Sequence, residues 1–295
     1  MREVLVSTDT LGRFGNSLFG IANCIRLAQE GNYNIIRFSN VKVNIYDRKT
    51  VFTKDTISID PDAKGNPKTK TIKRRTLGLY ETTTLHEHIG LYRNIFNNHL
   101  KDLYSLNNDI DLKDDTILTM HIRSEDIFSP QMLEERGNRP PVKYTQPPFC
   151  FYKHIIENGN FSKILIITTK DRNNPVIERL FECYKDRIQF QCDTLDNDYK
   201  TLMNANNLVL SSSSFAYTAM LFNKKLKNMY VFKTKYFFNF NTDRYISFSG
   251  SKHTVEHLYH AEPDYIQDWD PNNNSLYGLM KDYPEHKLHY HKFTN

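Results

Sequence analysis

From Asp115 onward, short apolar runs alternate with amphipathic stretches whose apolar positions recur every three or four residues. No other feature constrains the fold as much. Asp115 to Ile122, Lys163 to Thr168, Arg187 to Gln191, Leu208 to Ser211 and Met229 to Lys233 read as strands. Pro148 to Glu157, Pro175 to Tyr184, Asp198 to Ala205 and Ser214 to Asn223 read as helices. Strands that alternate with helices of this length build right-handed βαβ units in a doubly wound parallel sheet. Residues 111–235 are therefore expected to form a Rossmann-like domain.

The N-terminal part follows a looser version of the same pattern. Glu3 to Ser7 is a short strand, and a loop with Gly12 and Gly15 follows it. From Asn16, Leu18, Phe19, Ile21, Ala22, Ile25, Leu27 and Ala28 fall at helical spacing until Gly31 stops the helix. Asn34 to Phe38 is a second strand. Asp60 to Thr76 carries Lys64, Lys68, Lys70, Lys73, Arg74 and Arg75 among prolines and a glycine and reads as an exposed basic loop. His86 to Tyr104 has the apolar stripe of an amphipathic helix. Residues 1–110 form an α/β domain on this reading, and residues 236–295, which lack the alternation, form a tail that packs on the domains.

At 295 residues the chain has room for two domains. Its 39% hydrophobic and 25% charged residues are those of a globular protein with a core. A net charge of +5, spread along the chain, is not the footprint of a dedicated nucleic-acid binder, although it suits an anionic small ligand. The basic segment before Arg75 keeps RNA binding as the weakest alternative. Cys24, Cys150, Cys183 and Cys192 form no C-x-x-C pair, which argues against a zinc ribbon or a redox motif. No run of 18 apolar residues and no signal-peptide core occurs, so the expectation is a soluble, cytoplasmic protein without a membrane span.

Chemistry in an open parallel sheet gathers at the carboxyl ends of the strands, where helix N-termini aim N–H groups at anions. Three motifs fall at such places. The strand from Asp115 ends in His121-Ile122-Arg123-Ser124-Glu125-Asp126, in which Arg123 suits a phosphate and Asp126 could orient it; an ordinary surface ion pair is the bland alternative. Leu208-Val209-Leu210 runs into Ser211-Ser212-Ser213-Ser214-Phe215, a source of hydroxyl and N–H donors at a helix start, or merely a capped turn. Gly12-Arg13-Phe14-Gly15-Asn16 allows close backbone approach and adds a cation, but it is not the G-x-G-x-x-G fingerprint. The histidines of His253-x-x-x-His257-x-x-His260 share one face of a helix by spacing and read as a surface or tail-packing cluster rather than a metal site. Asp109-Ile110-Asp111 and Asp268-Trp269-Asp270 match D-x-D but read as loop carboxylates.

Leu11-Gly12-Arg13-Phe14-Gly15-Asn16-Ser17-Leu18-Phe19 resembles the G-G-L-G-N-Q-[ML]-F opening of the α-1,2-fucosyltransferases of glycosyltransferase family 11. His121 to Asp126 resembles the H-x-R-x-x-D element those enzymes share with α-1,6- and protein O-fucosyltransferases, and Leu210 to Tyr217 resembles their S-N-S-[ST]-F-[SA]-W segment. The resemblance implies a GT-B-like α/β fold, with two Rossmann-like domains whose parallel sheets face a cleft. It also implies inverting, metal-independent transfer of fucose from GDP-fucose to a glycan acceptor, with no cofactor. Arg123 is then the group that neutralises the leaving diphosphate, and Asp126 and Glu125 are the nearby catalytic carboxylates. Gly12, Arg13, Gly15, Asn16, His121, Thr169, Asp171, Ser212, Ser213, Ser214 and Phe215 surround the donor. Golgi relatives carry a membrane anchor, so the chain resembles a soluble microbial or viral-type enzyme or an excised catalytic domain.

The chain departs from that pattern at two places. Ser124 and Glu125 stand where H-[IV]-R-R-G-D has a second basic residue and Gly, and Tyr217 stands in place of Trp. Another nucleotide sugar, such as UDP-xylose, on the same scaffold is therefore the alternative, and a non-catalytic nucleotide- or carbohydrate-binding protein is a second.

Overall fold

A computed structural model describes residues 3–7, 14–30, 35–39, 58–60, 70–73, 89–100, 114–128, 145–234, 238 and 247–294. The chain divides into two compact units, Met1–Asn107 and Asn108–Asn295. The class is α/β, with a parallel sheet in the first unit and a mainly parallel one in the second.

In the first unit, β1 (Glu3–Ser7) pairs in parallel with β2 (Ile35–Ser39) on one side and β4 (Lys70–Lys73) on the other, and β3 (Ser58–Asp60) extends the sheet beyond β2. α1 (Phe14–Glu30) buries Leu18, Ile21, Ala22 and Ile25, one stripe at helical spacing. α2 (Ile89–Ile95) runs on into a π-helical turn, Phe96–Leu100. It packs on α1 through edge-on contacts of Phe19 with Tyr92 at 6.5 Å and with Phe96 at 5.9 Å, and through a hydrogen bond from the Tyr92 hydroxyl to Asn23 Oδ1.

One expectation fails here. Part of the basic segment from Asp60 to Thr76 is strand, with Val4 opposite Lys70 and Val6 opposite Ile72. Its lysines suggest a loop, but Thr71 and Ile72 supply β-branched residues and β1 supplies the hydrogen-bonding partner.

The second unit carries a seven-stranded sheet in the order β11-β10-β9-β8-β5-β6-β7. Its strands are β5 (Ile117–His121), β6 (Lys163–Ile167), β7 (Ile188–Gln191), β8 (Asn207–Val209), β9 (Asn228–Phe232), β10 (Val255–Ala261) and β11 (Leu288–Thr294). Its helices are α3 (Phe149–Asn158), α4 (Pro175–Tyr184), α5 (Leu195–Asn204), α6 (Ser214–Phe222) and α7 (Asn274–Asp282). Continuous apolar runs such as Ile164 to Ile167 are buried, as strands covered on both faces require.

Residues after 247 do not lack the strand pattern, as the sequence suggests. β10 pairs in parallel with β9, and β11 pairs antiparallel with β10. The histidines of His253-x-x-x-His257-x-x-His260 are accordingly not on one face of a helix. His257 and His260 sit on opposite faces of β10, His257 stacked on Tyr230 at 4.3 Å and His260 on His289 at 4.7 Å. The spacing mimics a helix, but pairing to both neighbours decides in favour of a strand. Glu256, also on β10 and fully buried, accepts hydrogen bonds from the Phe248 and Ser249 N–H groups and from the Ser247 and Ser249 hydroxyls. That coordination satisfies a carboxylate that burial would otherwise make very costly.

Read from β7, the six parallel strands follow the order 3-2-1-4-5-6, with β5 as strand 1 and β8 as strand 4. The direction of winding reverses between β5 and β8. In this topology the crevice beyond the carboxyl ends of those two strands is the ligand position.

Candidate functional site

Two sequence motifs meet at that reversal. β5 delivers His121 and then Arg123, and β8 delivers the serine run. His121 Nδ1 lies 2.6 Å from Ser211 Oγ, so one hydrogen bond ties the two motifs together. The imidazole also leans on the Phe215 ring at 5.7 Å, and Tyr199 supports Phe215 from behind at 5.1 Å.

The serines divide their work. Ser213 is the N-cap of α6, its hydroxyl accepting from the Phe215 N–H at 3.3 Å. Ser212 is buried, and its hydroxyl donates to the Thr145 carbonyl at 3.3 Å. Thr145 Oγ1 in turn donates to the Gln267 carbonyl, and the Tyr265 hydroxyl donates to the Gln146 carbonyl. The segment from Thr145 that leads into α3 is thus fastened both to the serine turn and to the C-terminal part of the chain. Ser214 and Phe215, half-buried, open α6.

Arg123 sits in a loop fastened from the next βα connection. Asn174 caps α4 by accepting from the Val176 N–H, and its Nδ2 donates to the Arg123 carbonyl at 3.0 Å. The Asn174 N–H donates to Ser124 Oγ at 3.1 Å. Asp171 Oδ2 accepts from the Glu125 N–H at 2.9 Å and the Ser124 hydroxyl at 3.2 Å, while its Oδ1 accepts from Thr169 Oγ1 at 2.5 Å. Thr169 and Asp171, expected against the donor, therefore engage each other and this loop. Glu125 itself is exposed and has φ +60°, and it opens the 3₁₀ turn Glu125–Ile127. The lone Trp269 closes the turn from behind, its indole N–H donating to the Ile127 carbonyl at 2.7 Å. Asp270, the second acid of that D-x-D, accepts from the Asn272 N–H as a turn carboxylate.

Gly15 and Asn16 lie in the first turn of α1, in the first unit; Gly12 and Arg13 lie outside the described residues. Asp126 occupies the middle of the 3₁₀ turn. No group of three or more His, Cys, Asp or Glu side chains that could hold a metal occurs among the described residues, and no described helix is long and apolar enough to cross a membrane. The sequence reading missed Asn174 and Trp269. Asn-Pro before the apolar helix pattern was a visible cap signal, but nothing local links Trp269 to a turn so distant in the chain.

Burial, with the Arg123 charge adding to it, pushes the His121 pKa down to about 3. Burial and Lys292 push His257 down to about 4. Both rings are neutral at pH 7, so His121 serves the site as a neutral hydrogen-bonding group. Unfolding returns each ring to a pKa near about 6.5. The unfolded chain then binds more protons below that value, and stability is lost as pH falls from about 6.5 toward 4, at up to about 1.4 kcal/mol per pH unit for each ring. Urea unfolding at pH 7, 6, 5 and 4 measures this loss, and His121→Gln is expected to make the acid decline shallower. Equal slopes in the two proteins contradict the assignment of that titration to His121.

No protein-family model matches the chain, and no curated protein does. Among solved structures the chain is similar to that of POFUT1 in complex with GDP, at 9% identity and a TM-score of 0.42. The alignment covers 78% of this chain and 98% of POFUT1.

Proposed function

We propose that the chain is a glycosyltransferase of GT-B type, which holds a nucleoside-diphosphate sugar at the carboxyl ends of β5 and β8 and transfers the sugar with inversion. The observation that carries this reading is the His121–Ser211 hydrogen bond at the point where the sheet reverses its winding. It brings together the H-x-R-x-x-D-like and serine motifs, which lie 90 residues apart in the chain.

In this reading Arg123 binds the diphosphate and offsets the charge that grows on it as the sugar departs. The N-terminus of α6 adds its partial positive charge. Neutral His121 fixes the Ser211 hydroxyl beside the Phe215 ring. Glu125 and Asp126, next along the chain from Arg123, are the candidates to take the acceptor hydroxyl's proton. The motifs favour GDP-fucose as donor, Arg123 and the serine turn supplying the positive charge without a metal, and a glycan hydroxyl as acceptor.

The test is a panel of GDP- and UDP-sugars, with and without EDTA, read by nucleoside-diphosphate release and thermal shift. Release from GDP-fucose that is insensitive to EDTA is expected. Turnover of a UDP-sugar alone reassigns the donor, stabilisation without turnover identifies a binding protein, and loss of turnover in EDTA overturns the metal-free step.

A further inference from the structure

Glu125 adopts a left-handed backbone, φ +60°, which residues with a Cβ avoid. Gly stands at this place in the H-[IV]-R-R-G-D pattern, and here a bulky acid occupies it. Something in the fold must hold that conformation. The group in contact is Asp171, whose Oδ2 accepts the Glu125 N–H itself as well as the Ser124 hydroxyl, while Thr169 steadies its other oxygen. Those bonds fix the direction of the peptide plane between Ser124 and Glu125. On the Arg123 side, the chain is fixed by Asn174 at the Arg123 carbonyl, and on the far side by the Phe128 N–H bonded to the Glu125 carbonyl at 2.9 Å.

We infer that Asp171 is a positioning residue: it holds Glu125 in the left-handed conformation and thereby sets the course of the chain that aims Arg123. Its carboxylate faces the loop backbone. The role of the clamp in binding rests on the nucleotide-sugar reading above; the clamp itself does not. Asp171 therefore substitutes for the glycine, supplying by hydrogen bonds what Gly supplies by lacking a Cβ.

A double-variant experiment with Asp171→Ala and Glu125→Gly tests this substitution. Asp171→Ala removes the bonds made to the Ser124–Glu125 peptide itself, so backbone amides from 123 to 128 are expected to exchange hydrogen at least about tenfold faster, and GDP affinity to fall about fivefold. Adding Glu125→Gly to that variant restores access to the left-handed conformation. The double variant is therefore expected to recover most of the protection at Phe128 and part of the lost GDP affinity.

A merely structural or ligand-contacting Asp171 gives no such rescue. Unchanged exchange in Asp171→Ala, or a double variant that exchanges as fast as Asp171→Ala, overturns the inference whatever the nucleotide data show. Rescue of exchange in a protein that binds no GDP leaves the clamp standing and removes the nucleotide-sugar reading instead.

Discussion

Arg123→Ala is expected to reduce sugar-nucleotide turnover by about 10²- to 10³-fold while shifting the unfolding midpoint by no more than about 2 °C. The asymmetry follows from position. Arg123 follows the last residue of β5 by two, and Asn174 Nδ2 holds its backbone carbonyl. The loop therefore keeps its course when the guanidinium is removed. What is lost is a full positive charge beside the partly buried His121, whose lowered pKa registers that charge. On the proposed reading such a charge matters most in the transition state, when the diphosphate leaves. Arg123→Lys keeps the charge but not the planar two-point contact, and is expected to recover only part of the rate. Steady-state turnover and calorimetric GDP affinity measure both variants. Wild-type turnover in Arg123→Ala refutes the site.

The second large effect is on stability. Trp269→Ala is expected to destabilise the second unit by about 3–5 kcal/mol and to lower its unfolding midpoint by about 10 °C. Trp269 is fully buried, meets Phe128 at 5.0 Å and Tyr277 at 5.1 Å, and satisfies the Ile127 carbonyl. Truncation leaves a cavity and an unpaired carbonyl together. Trp269→Phe separates the two: it keeps most of the packing and loses the hydrogen bond, and is expected to cost about 1–2 kcal/mol. Because Ile127 ends the turn that begins at Glu125, the nucleotide-sugar reading expects both variants to weaken GDP binding as well. Thermal unfolding combined with GDP titration checks this, and an undiminished GDP affinity in Trp269→Ala breaks the link between the indole and the loop.

Much of the second unit is legible in the residues. The expected helix Pro175 to Tyr184 is α4 without adjustment, and the expected strands at Lys163, Arg187, Leu208 and Met229 each appear within one or two residues. These segments carry strong periodicity and clear caps, such as Asn174 before Pro175 and Ser213 before α6. The first unit reads well at β1 and α1 for the same reason.

The errors have a common origin. Lys70–Lys73 and the histidine-bearing β10 are strands whose composition signals a loop or a helix, and each is made a strand by pairing to a neighbour. Pairing is a property of two segments, and local composition records only one of them.

The same distinction runs through the site. The amino-acid sequence by itself determined the α/β class, the strand–helix alternation, and the placement of Arg123 and the serines at strand ends, because periodicity, capping and turn chemistry act over a few residues. Tertiary structure alone decided that β5 and β8 are neighbours, that His121 meets Ser211, and that Asp171 and Trp269 hold the two sides of the Arg123 loop. Those contacts join residues tens of positions apart, and they exist only once the burial of the shared core has fixed the order of the strands.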